Sequence, residues 1–355
     1  MPTPGRVKGE STVKTWKVIV TDYIEDDLNW EAEKFAAMGN VEFAAYQLKN
    51  SPKEEVIAKC KDADVIVVNM VKFDEEVIAA LDKCLLIIRH GVGYDNVDVA
   101  ACTRHGIRFA YEPDYCATEV AEQAVALIFA CTRQLFKSRA ILEESSANQI
   151  WDFSTLLPMH RMYGQTLGIL GCGRIGGRVY RMMSAMGMRI IVCDPYIDER
   201  QKGALGIQDD DLVSFDELLA QSDVITIHTP LNDETRYIFD TDAFRKMKDT
   251  AYLVNTARGG VINTEDLIWA LDEKQIQGAG IDVYEKEPPA ADLKLFAQDR
   301  ATLSAHLGWC SVEAGWTIRY KIFDDAVACI KGEKPVNTVN KEIDHILEGN
   351  YRVVG

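Results

Sequence analysis

Residues 166–177 read TLGILGCGRIGG, an apolar run that leads into three glycines with the spacing G-x-G-x-x-G. A helical stretch follows, and the next apolar run, residues 189–193, ends at Asp194, 23 residues after Gly171. In a strand–turn–helix unit, such glycines allow a tight turn, bring backbone N–H groups to a pyrophosphate and pack the helix on its strand. A carboxylate at this distance accepts hydrogen bonds from ribose hydroxyls and repels a 2′-phosphate. The pattern predicts a dinucleotide site that favours NAD over NADP.

Length and charge limit the remaining possibilities. About half of the 355 residues precede the glycine motif, so we expect two domains of ordinary size. A formal charge of −16 argues against nucleic-acid and anionic-membrane partners. The chain has no apolar run of the ~20 residues that a membrane helix needs and no signal-peptide pattern. Its nine scattered cysteines indicate reduced core thiols. We expect a cytoplasmic protein without a metal site and with a mobile tail at residues 1–14.

Short β-rich runs alternate with helical stretches along the whole chain. A helix start is predicted at Ser51-Pro52, where a cap and a first-turn proline precede acidic residues. Repeated βα units without hairpin signals predict parallel sheets with helices on both faces. We therefore predict an α/β fold with two doubly wound parallel-sheet domains. The first set of predicted strands is 17–21, 41–46, 65–69, 85–89 and 107–111, and the second is 167–171, 189–193, 223–228, 251–255, 278–282 and 302–305.

Three segments set the predicted domain organisation. Residues 117–138 are expected to form one long buried helix, and residues 140–164 a long loop rich in apolar side chains such as Trp151. A second copy of the chain would cover that loop, so we expect a homodimer. The predicted helix 311–332 returns to the first domain. The predicted domains are a discontinuous flavodoxin-like substrate domain, residues 1–112 and 308–355, and a Rossmann NAD-binding domain, residues 113–307.

Three polar side chains follow strands of the second set: Arg258, Glu287 and His306. Ligands of open parallel sheets bind beyond the carboxyl ends of the strands, so these side chains could converge beside a nicotinamide. Hydride transfer at a carbon that bears an oxygen requires a proton donor near neutral pH, which suits histidine. A carboxylate would fix its tautomer, and an arginine would bind a substrate carboxylate. Each residue alone has a structural alternative, and their joint position at strand ends favours catalysis.

Further motifs occur in a fixed order. They are HGVGYDN at 90–96, VAE at 120–122, HTPL at 228–231, NTARGG at 255–260, GIDV at 280–283 and AH at 305–306. With the glycine motif and Asp194, this series resembles the D-isomer-specific 2-hydroxyacid dehydrogenase family over residues 16–340. The resemblance implies an NAD cofactor, His306 as the acid/base, Glu287 as its partner, and Arg258 as the residue that binds the substrate's carboxylate and carbonyl.

The same resemblance implies contacts for cofactor and substrate. Val92 and Gly93 would offer backbone N–H groups to the substrate carboxylate, although the glycines of this segment could also serve only a tight turn. Lys72, Tyr94 and Trp309 are candidates for substrate selection, and Lys72 could equally be a solvated surface lysine. The implied cofactor contacts are Gly171, Gly173, Arg174, Ile175 and Gly176 at the pyrophosphate, Asp194 at the ribose, Ala257 and Asp282 at the nicotinamide, and Thr118, Thr229, Pro230 and Thr256 elsewhere.

The sequence thus predicts an NAD-dependent oxidoreductase that interconverts a 2-oxo acid and a D-2-hydroxy acid. Glutamate at position 287 separates this chain from the resembling formate dehydrogenases, which have glutamine there. Two alternatives stay open. One is an NADH-responsive scaffold like the corepressors that resemble this family, and the other is a phosphoglycerate-type dehydrogenase for a phosphorylated hydroxy acid.

Overall fold

A computed structural model describes residues 14–348, so all but the last residue of the predicted N-terminal tail lies outside the described residues. The chain divides into two compact units. Unit 1 comprises Met1–Tyr115 with Gly315–Gly355, and unit 2 comprises Cys116–Ala314. The two boundaries lie a few residues after the predicted positions 112 and 307.

The strands of the described chain lie close to their predicted positions, with ends shifted by at most two residues. They are β1 Trp16–Val20, β2 Val41–Ala45, β3 Val65–Val68, β4 Leu86–Arg89, β5 Arg108–Tyr111, β6 Thr166–Leu170, β7 Arg189–Cys193, β8 Val224–Ile227, β9 Tyr252–Asn255, β10 Gly278–Ile281 and β11 Ala301–Leu303.

The helices fill most of the intervals between strands. They are α1 Asn29–Ala37, α2 Lys53–Cys60, α3 Glu75–Ala79, α4 Val99–Arg104, α5 Ala117–Thr132, α6 Leu135–Asn148, α7 Gly176–Ala185, α8 Glu199–Leu205, α9 Phe215–Gln221, α10 Thr241–Lys246, α11 Thr264–Asp272, α12 Val312–Ile330 and α13 Ile343–Glu348. Short 3₁₀ turns occur at Ser154–Leu156, Asp209–Asp211, Gly259–Val261 and Lys294–Ala297.

Unit 1 contains a five-stranded parallel sheet with the order β2-β1-β3-β4-β5. This is the flavodoxin-like strand order. Ile19, Ile66, Ile87 and Phe109 are paired in register across four strands and belong to one buried cluster. Because successive side chains of a strand alternate between faces, their neighbours form a second cluster on the other face. Both faces are thus covered, as predicted for a doubly wound sheet.

Unit 2 contains a six-stranded parallel sheet with the order β7-β6-β8-β9-β10-β11. A single parallel bridge between Val192 and Leu212 extends the β7 edge by one residue pair. That bridge stands where the third strand of a full Rossmann order would lie. Two buried clusters cover the two faces of this sheet. The prediction of two doubly wound domains is confirmed.

The prediction for residues 117–164 was partly wrong. The chain breaks at Gln134, which has a φ of 47°, so α5 ends at Thr132 and the helix α6 occupies residues 140–148 of the predicted loop. Within α6 only Ser145 is buried, whereas Leu135 and Phe136 are exposed. A helix without a buried apolar face lacks the 3.6-residue periodicity by which it could be recognised.

Two smaller expectations also need correction. Ser51 does not cap α2, because Pro52 occupies the N-cap position and no side chain caps that helix. Six of the nine cysteines are buried, but Cys310 is exposed and is not a core thiol. In residues 14–348, no helix combines the length and the apolar character that crossing a membrane requires.

Candidate active site

The three motif glycines of unit 2 each meet a different steric demand. Gly171 has a φ of +86°, and a Cβ there would lie 2.9 Å from backbone atoms of His228 and Thr229. A Cβ on Gly176 would lie 2.1 Å from the Gly171 carbonyl oxygen, so α7 can pack on β6 only with glycine at its first residue. A Cβ on Gly173 would meet nothing within 4 Å, which leaves the turn open to an approaching phosphate. The turn therefore fits a dinucleotide.

Asp194 closes this turn from the end of β7. Its Oδ2 accepts the Cys172 N–H at 2.7 Å, and its Oδ1 accepts the Tyr196 N–H at 2.9 Å. Both oxygens keep lone pairs for further donors, because a carboxylate has about four acceptor positions. The side chain is partly exposed, and ribose hydroxyls can occupy the remaining positions. Asp194 thus fits the predicted ribose contact.

Arg178 is a further candidate for the cofactor site, and the sequence motifs did not indicate it. It lies in the first turn of α7, and its guanidinium donates to the Arg174 carbonyl at 2.6 Å and to the Thr118 hydroxyl at 3.2 Å. The contact brings Thr118, at the start of α5, beside the glycine turn. Arg178 places positive charge next to a helix N-terminus, where an anion is stabilised. Its i+4 spacing from Arg174 was the available sequence signal.

His306 and Glu287 form a direct pair after β11 and β10. His306 Nδ1 lies 2.7 Å from Glu287 Oε2. Because an ionised carboxylate can only accept, Nδ1 donates and Nε2 stays available for proton exchange. Burial alone would raise the pKa of Glu287, but the hydrogen bonds from His306 and the Tyr284 N–H, and the charges of His306 and Arg258, lower it overall. The histidine is held by a carboxylate that stays ionised.

His306 has a φ of 55°, in the left-handed region that a side chain rarely occupies. Such strain persists only where the surroundings enforce it, and it concentrates at functional sites. Here the His306 N–H donates to the backbone carbonyl of Asp282 at 2.8 Å. The Leu307 and Gly308 N–H groups donate to the Asp282 carboxylate at 3.0 and 2.9 Å. Asp282 therefore fixes the turn that carries the histidine.

Asp282 is fully buried, and its carboxylate has further partners. The Ser304 hydroxyl donates to it at 2.5 Å and the Gln123 amide at 3.3 Å. Three of these four donors use Oδ1, and only the Gly308 N–H uses Oδ2, which keeps an acceptor position for a further donor. The predicted contact of Asp282 with the nicotinamide carboxamide therefore stays a prediction. Gln123 and Ser304 were not recognised in the sequence, because they meet Asp282 only through the packing of α5 on the sheet.

Arg258 follows β9 and is held by its neighbours. The Asn255 side chain donates to the Arg258 carbonyl at 2.9 Å and accepts the Ala257 N–H at 2.9 Å. A Cβ on Gly259 would lie 2.0 Å from the Tyr284 backbone, so this loop packs directly on the segment that leads to Glu287. The positive charge of Arg258 contributes to the lowered pKa of Glu287. Unit 2 thus brings the three predicted catalytic side chains to one edge of its sheet.

The remaining predicted contacts of unit 2 lie at the same edge. Thr229 packs beside Gly171, and Thr256 has a buried hydroxyl without a hydrogen-bond partner in residues 14–348. Trp309 is partly exposed three residues after His306. The buried Thr256 hydroxyl requires a hydrogen-bond partner, which a bound cofactor can supply.

Comparisons with known proteins agree with this geometry. Residues 125–308 match the family model described as the NAD-binding domain of D-isomer specific 2-hydroxyacid dehydrogenases. The chain is 35% identical to a glyoxylate reductase of Korarchaeum cryptofilum, over 82% of this chain and 87% of that protein. It is 36% identical to a D-3-phosphoglycerate dehydrogenase of Methanocaldococcus jannaschii, over 91% of this chain but only 59% of that protein. A D-lactate dehydrogenase of Aquifex aeolicus, solved with NAD and lactic acid, superposes with a TM-score of 0.78 at 27% identity, over 91% and 98% of the two chains.

The chain belongs to the D-isomer specific 2-hydroxyacid dehydrogenase family. Its fold and its NAD cofactor are those that the sequence predicted. The family includes relatives named for glyoxylate, phosphoglycerate and lactate, so membership does not fix the substrate.

The predicted substrate contacts of unit 1 differ in how far they are exposed. Val92 and Gly93 are partly exposed in the turn after β4. Tyr94 packs edge-on against Phe109 and Tyr111, with ring centroids 5.5 and 5.3 Å away, so much of its ring covers the core. Burial raises its pKa. Lys72 is exposed after β3, which agrees with a role in ligand contact and equally with a surface lysine.

Proposed function

We propose that this dehydrogenase interconverts a small 2-oxo acid and the corresponding D-2-hydroxy acid with NAD(H). The observation that carries the proposal is the His306–Glu287 pair, 2.7 Å apart in a strained turn of the same unit that carries the glycine motif. A histidine in such a turn, with an ionised carboxylate on Nδ1, is arranged to exchange protons through Nε2.

In the reductive direction, His306 Nε2 donates a proton to the carbonyl oxygen, and Glu287 holds the ring in the tautomer that allows this. Arg258 binds the substrate carboxylate through its two-pronged donor face and polarises the adjacent carbonyl. The Val92 and Gly93 N–H groups of unit 1 are proposed to bind a substrate carboxylate. NADH, when bound, supplies the hydride for the carbonyl carbon. In oxidation His306 accepts the hydroxyl proton.

The cofactor is proposed to lie on the glycine turn of unit 2. The N–H groups around Arg174 and Ile175 bind the pyrophosphate, and Asp194 binds the ribose hydroxyls. Thr118, Thr229, Pro230, Thr256 and Ala257 complete the predicted contacts along the same edge. Asp282 is proposed to accept a hydrogen bond from the nicotinamide carboxamide and also holds the turn that carries His306.

A phosphorylated hydroxy acid is the second candidate substrate. It is favoured by the 36% identity to a D-3-phosphoglycerate dehydrogenase, of which the chain spans 59%. Such a substrate needs a second cation, and Lys72 is the exposed candidate. A panel of 2-oxo acids graded in size and charge, assayed with NADH, separates the two. Preference for small uncharged side chains supports the proposal, and preference for phosphorylated acids contradicts it. Absence of turnover on the whole panel would favour the scaffold alternative.

We further propose that unit 2 mediates a homodimer. Large apolar side chains are exposed between residues 135 and 163, among them Phe136, Ile150, Trp151 and Tyr163, and Trp151 is 75% exposed. Several large exposed apolar side chains within one segment are typical of an interface between copies of a chain. Sedimentation of the purified protein, with W151D as the variant, should show a dimer that the substitution weakens.

A further inference from the structure

A buried polar layer lies at the carboxyl ends of three strands of unit 1. After β1, Asp22 accepts the N–H groups of Asn69 and Met70 at 3.3 and 2.8 Å. The Asn69 side-chain oxygen in turn accepts Arg89 Nη1 at 3.2 Å. Asp22, Asn69 and Arg89 are all buried, and Arg89 is 9% exposed. The layer therefore ties the loops after β3 and β4 to the end of β1 through connected hydrogen bonds.

Arg89 folds back under the turn that follows it. Its Nη1 also donates to the His90 carbonyl. A Cβ on Gly91 would lie 2.8 Å from Nη1, and Gly91 has a φ of +149°. The guanidinium thus packs against the first two residues of the turn 90–93, and glycine at position 91 allows this close approach.

We infer that Arg89 is a positioning residue for the substrate carboxylate, because it holds the turn whose Val92 and Gly93 N–H groups are proposed to bind that carboxylate. The inference rests on the proposed function. Donors that are already ordered lose little entropy when an anion binds. A positive charge beneath the turn also favours an anion above it. Because the carboxylate is common to all 2-oxo acids, the effect of Arg89 should not depend on the rest of the substrate.

The same sheet offers a matched control. Arg108 is 8% exposed, and its Nη2 donates to Asp344 at 2.7 Å. It is the first residue of β5 and pairs with Leu86, whereas Arg89 is the last residue of β4. The two arginines therefore lie at opposite ends of two neighbouring strands, about 10 Å apart along the strand direction. R108M removes a buried guanidinium without touching the turn.

The experiment compares R89M, R89K and R108M with the unsubstituted enzyme in steady-state assays across the 2-oxo acid panel. We expect R89M to raise KM by about tenfold for every acid that is turned over. Its kcat and its KM for NADH should change little. R89K should recover part of the loss, because an ammonium can still donate to the His90 carbonyl. R108M should lower Tm while leaving KM unchanged. An unchanged KM in R89M, or an equal rise in R108M, would overturn the inference.

Calorimetry separates this inference from the proposed function. Pyruvate is titrated into the enzyme–NAD⁺ complex; NAD⁺ has no hydride to donate and pyruvate has no hydrogen on C2 to give up, so binding is measured without turnover. Binding that is about tenfold weaker in R89M than in the unsubstituted enzyme and R108M supports the positioning role even if no acid is reduced. Equal binding to R89M and R108M refutes the role while the proposed function stands. No binding to the unsubstituted enzyme, together with no turnover, contradicts both.

Discussion

Units 1 and 2 are both parallel sheets covered on two faces, yet the carboxyl edges of their strands differ in chemistry. In unit 2 this edge carries a glycine turn, Asp194 and a histidine–carboxylate pair with Arg258 beside it. In unit 1 the same edge carries a buried hydrogen-bond layer under one turn. The architecture supplies an edge where loops converge, and the residues on those loops decide what each edge does.

Histidine–carboxylate pairs sharpen this comparison, because they occur in both units. In unit 1, His105 lies 2.8 Å from Glu75 and His90 lies 2.9 Å from Glu25. These separations match that of the His306 pair within 0.2 Å. Only His306 among the three has a left-handed φ. The pair alone is therefore not diagnostic, and its strained position near Arg258 distinguishes the one in unit 2.

The largest effect is expected for H306N. Loss of the proton donor should lower kcat by about a thousandfold. NADH binding, measured by fluorescence titration, should change little. H105N, which removes the exposed pair of unit 1, is the matched control and should retain full turnover. A variant H306N that keeps more than a tenth of the activity would contradict the acid/base role.

A smaller loss is expected for E287Q. The amide can still accept the Nδ1 hydrogen but lacks the charge, so kcat should fall roughly 10- to 100-fold. Because the pKa of Glu287 is lowered, the carboxylate is ionised throughout the neutral range, and the loss should not diminish between pH 6 and 8. E285Q is the control, since Glu285 binds Tyr237 and the Thr264 N–H instead of a histidine. An equal loss in E285Q would point to general disruption of the loop.

D194A tests the ribose contact beside the glycine turn of unit 2. The substitution should weaken NAD binding by about tenfold. The change removes both the ribose acceptor and the acceptor of the Cys172 N–H. The preference for NAD over NADP should shrink at the same time, because the charge that repels a 2′-phosphate is gone. D198N alters only the cap of α8 and should leave both affinities unchanged. Unaltered discrimination in D194A would contradict the ribose assignment.

The parts of the molecule that sequence could predict are those coded by local spacing. The glycine motif, Asp194 and the strands follow from short-range pattern, and the structure confirms the fold built on them. Asp282 shows the limit, because it was recognised as important but its partner Gln123 lies 159 positions away. The partnership of Arg89 and Asn69 likewise depends on how β3 and β4 lie side by side. The break at Gln134 has no signal of the Gly or Pro type.

Unit 1 also contains a buried pair of carboxyl groups with raised pKa values. Unit 2, all of whose residues the structure describes, contains no comparable pair. Glu112, 1% exposed, lies beside the buried Asp325 of α12. Burial, followed by the charge of Asp325, raises the pKa of Glu112 to about 8, although Lys321 lies 3.8 Å away and acts in the opposite direction. The pKa of Asp325 is raised as well, mainly by burial. The raised pKa therefore favours a protonated Glu112 at neutral pH.

The smallest expected effect is on stability and comes from this pair. A carboxyl with a raised pKa in the folded state stabilises fully below its ordinary value near 4.5 and loses that contribution as pH rises through 8. Within that interval each pH unit should lower the unfolding free energy by about 1.4 kcal/mol, which corresponds to roughly 3–6 °C in Tm. The side chain at position 112 stays neutral in E112Q, so the Tm of this variant should fall less between pH 6 and 8 than the Tm of the unsubstituted protein. E42Q, on the exposed side of β2, is the control and should follow the unsubstituted protein. If the Tm of E112Q falls as far as that of E42Q over this range, Glu112 does not carry a proton at neutral pH.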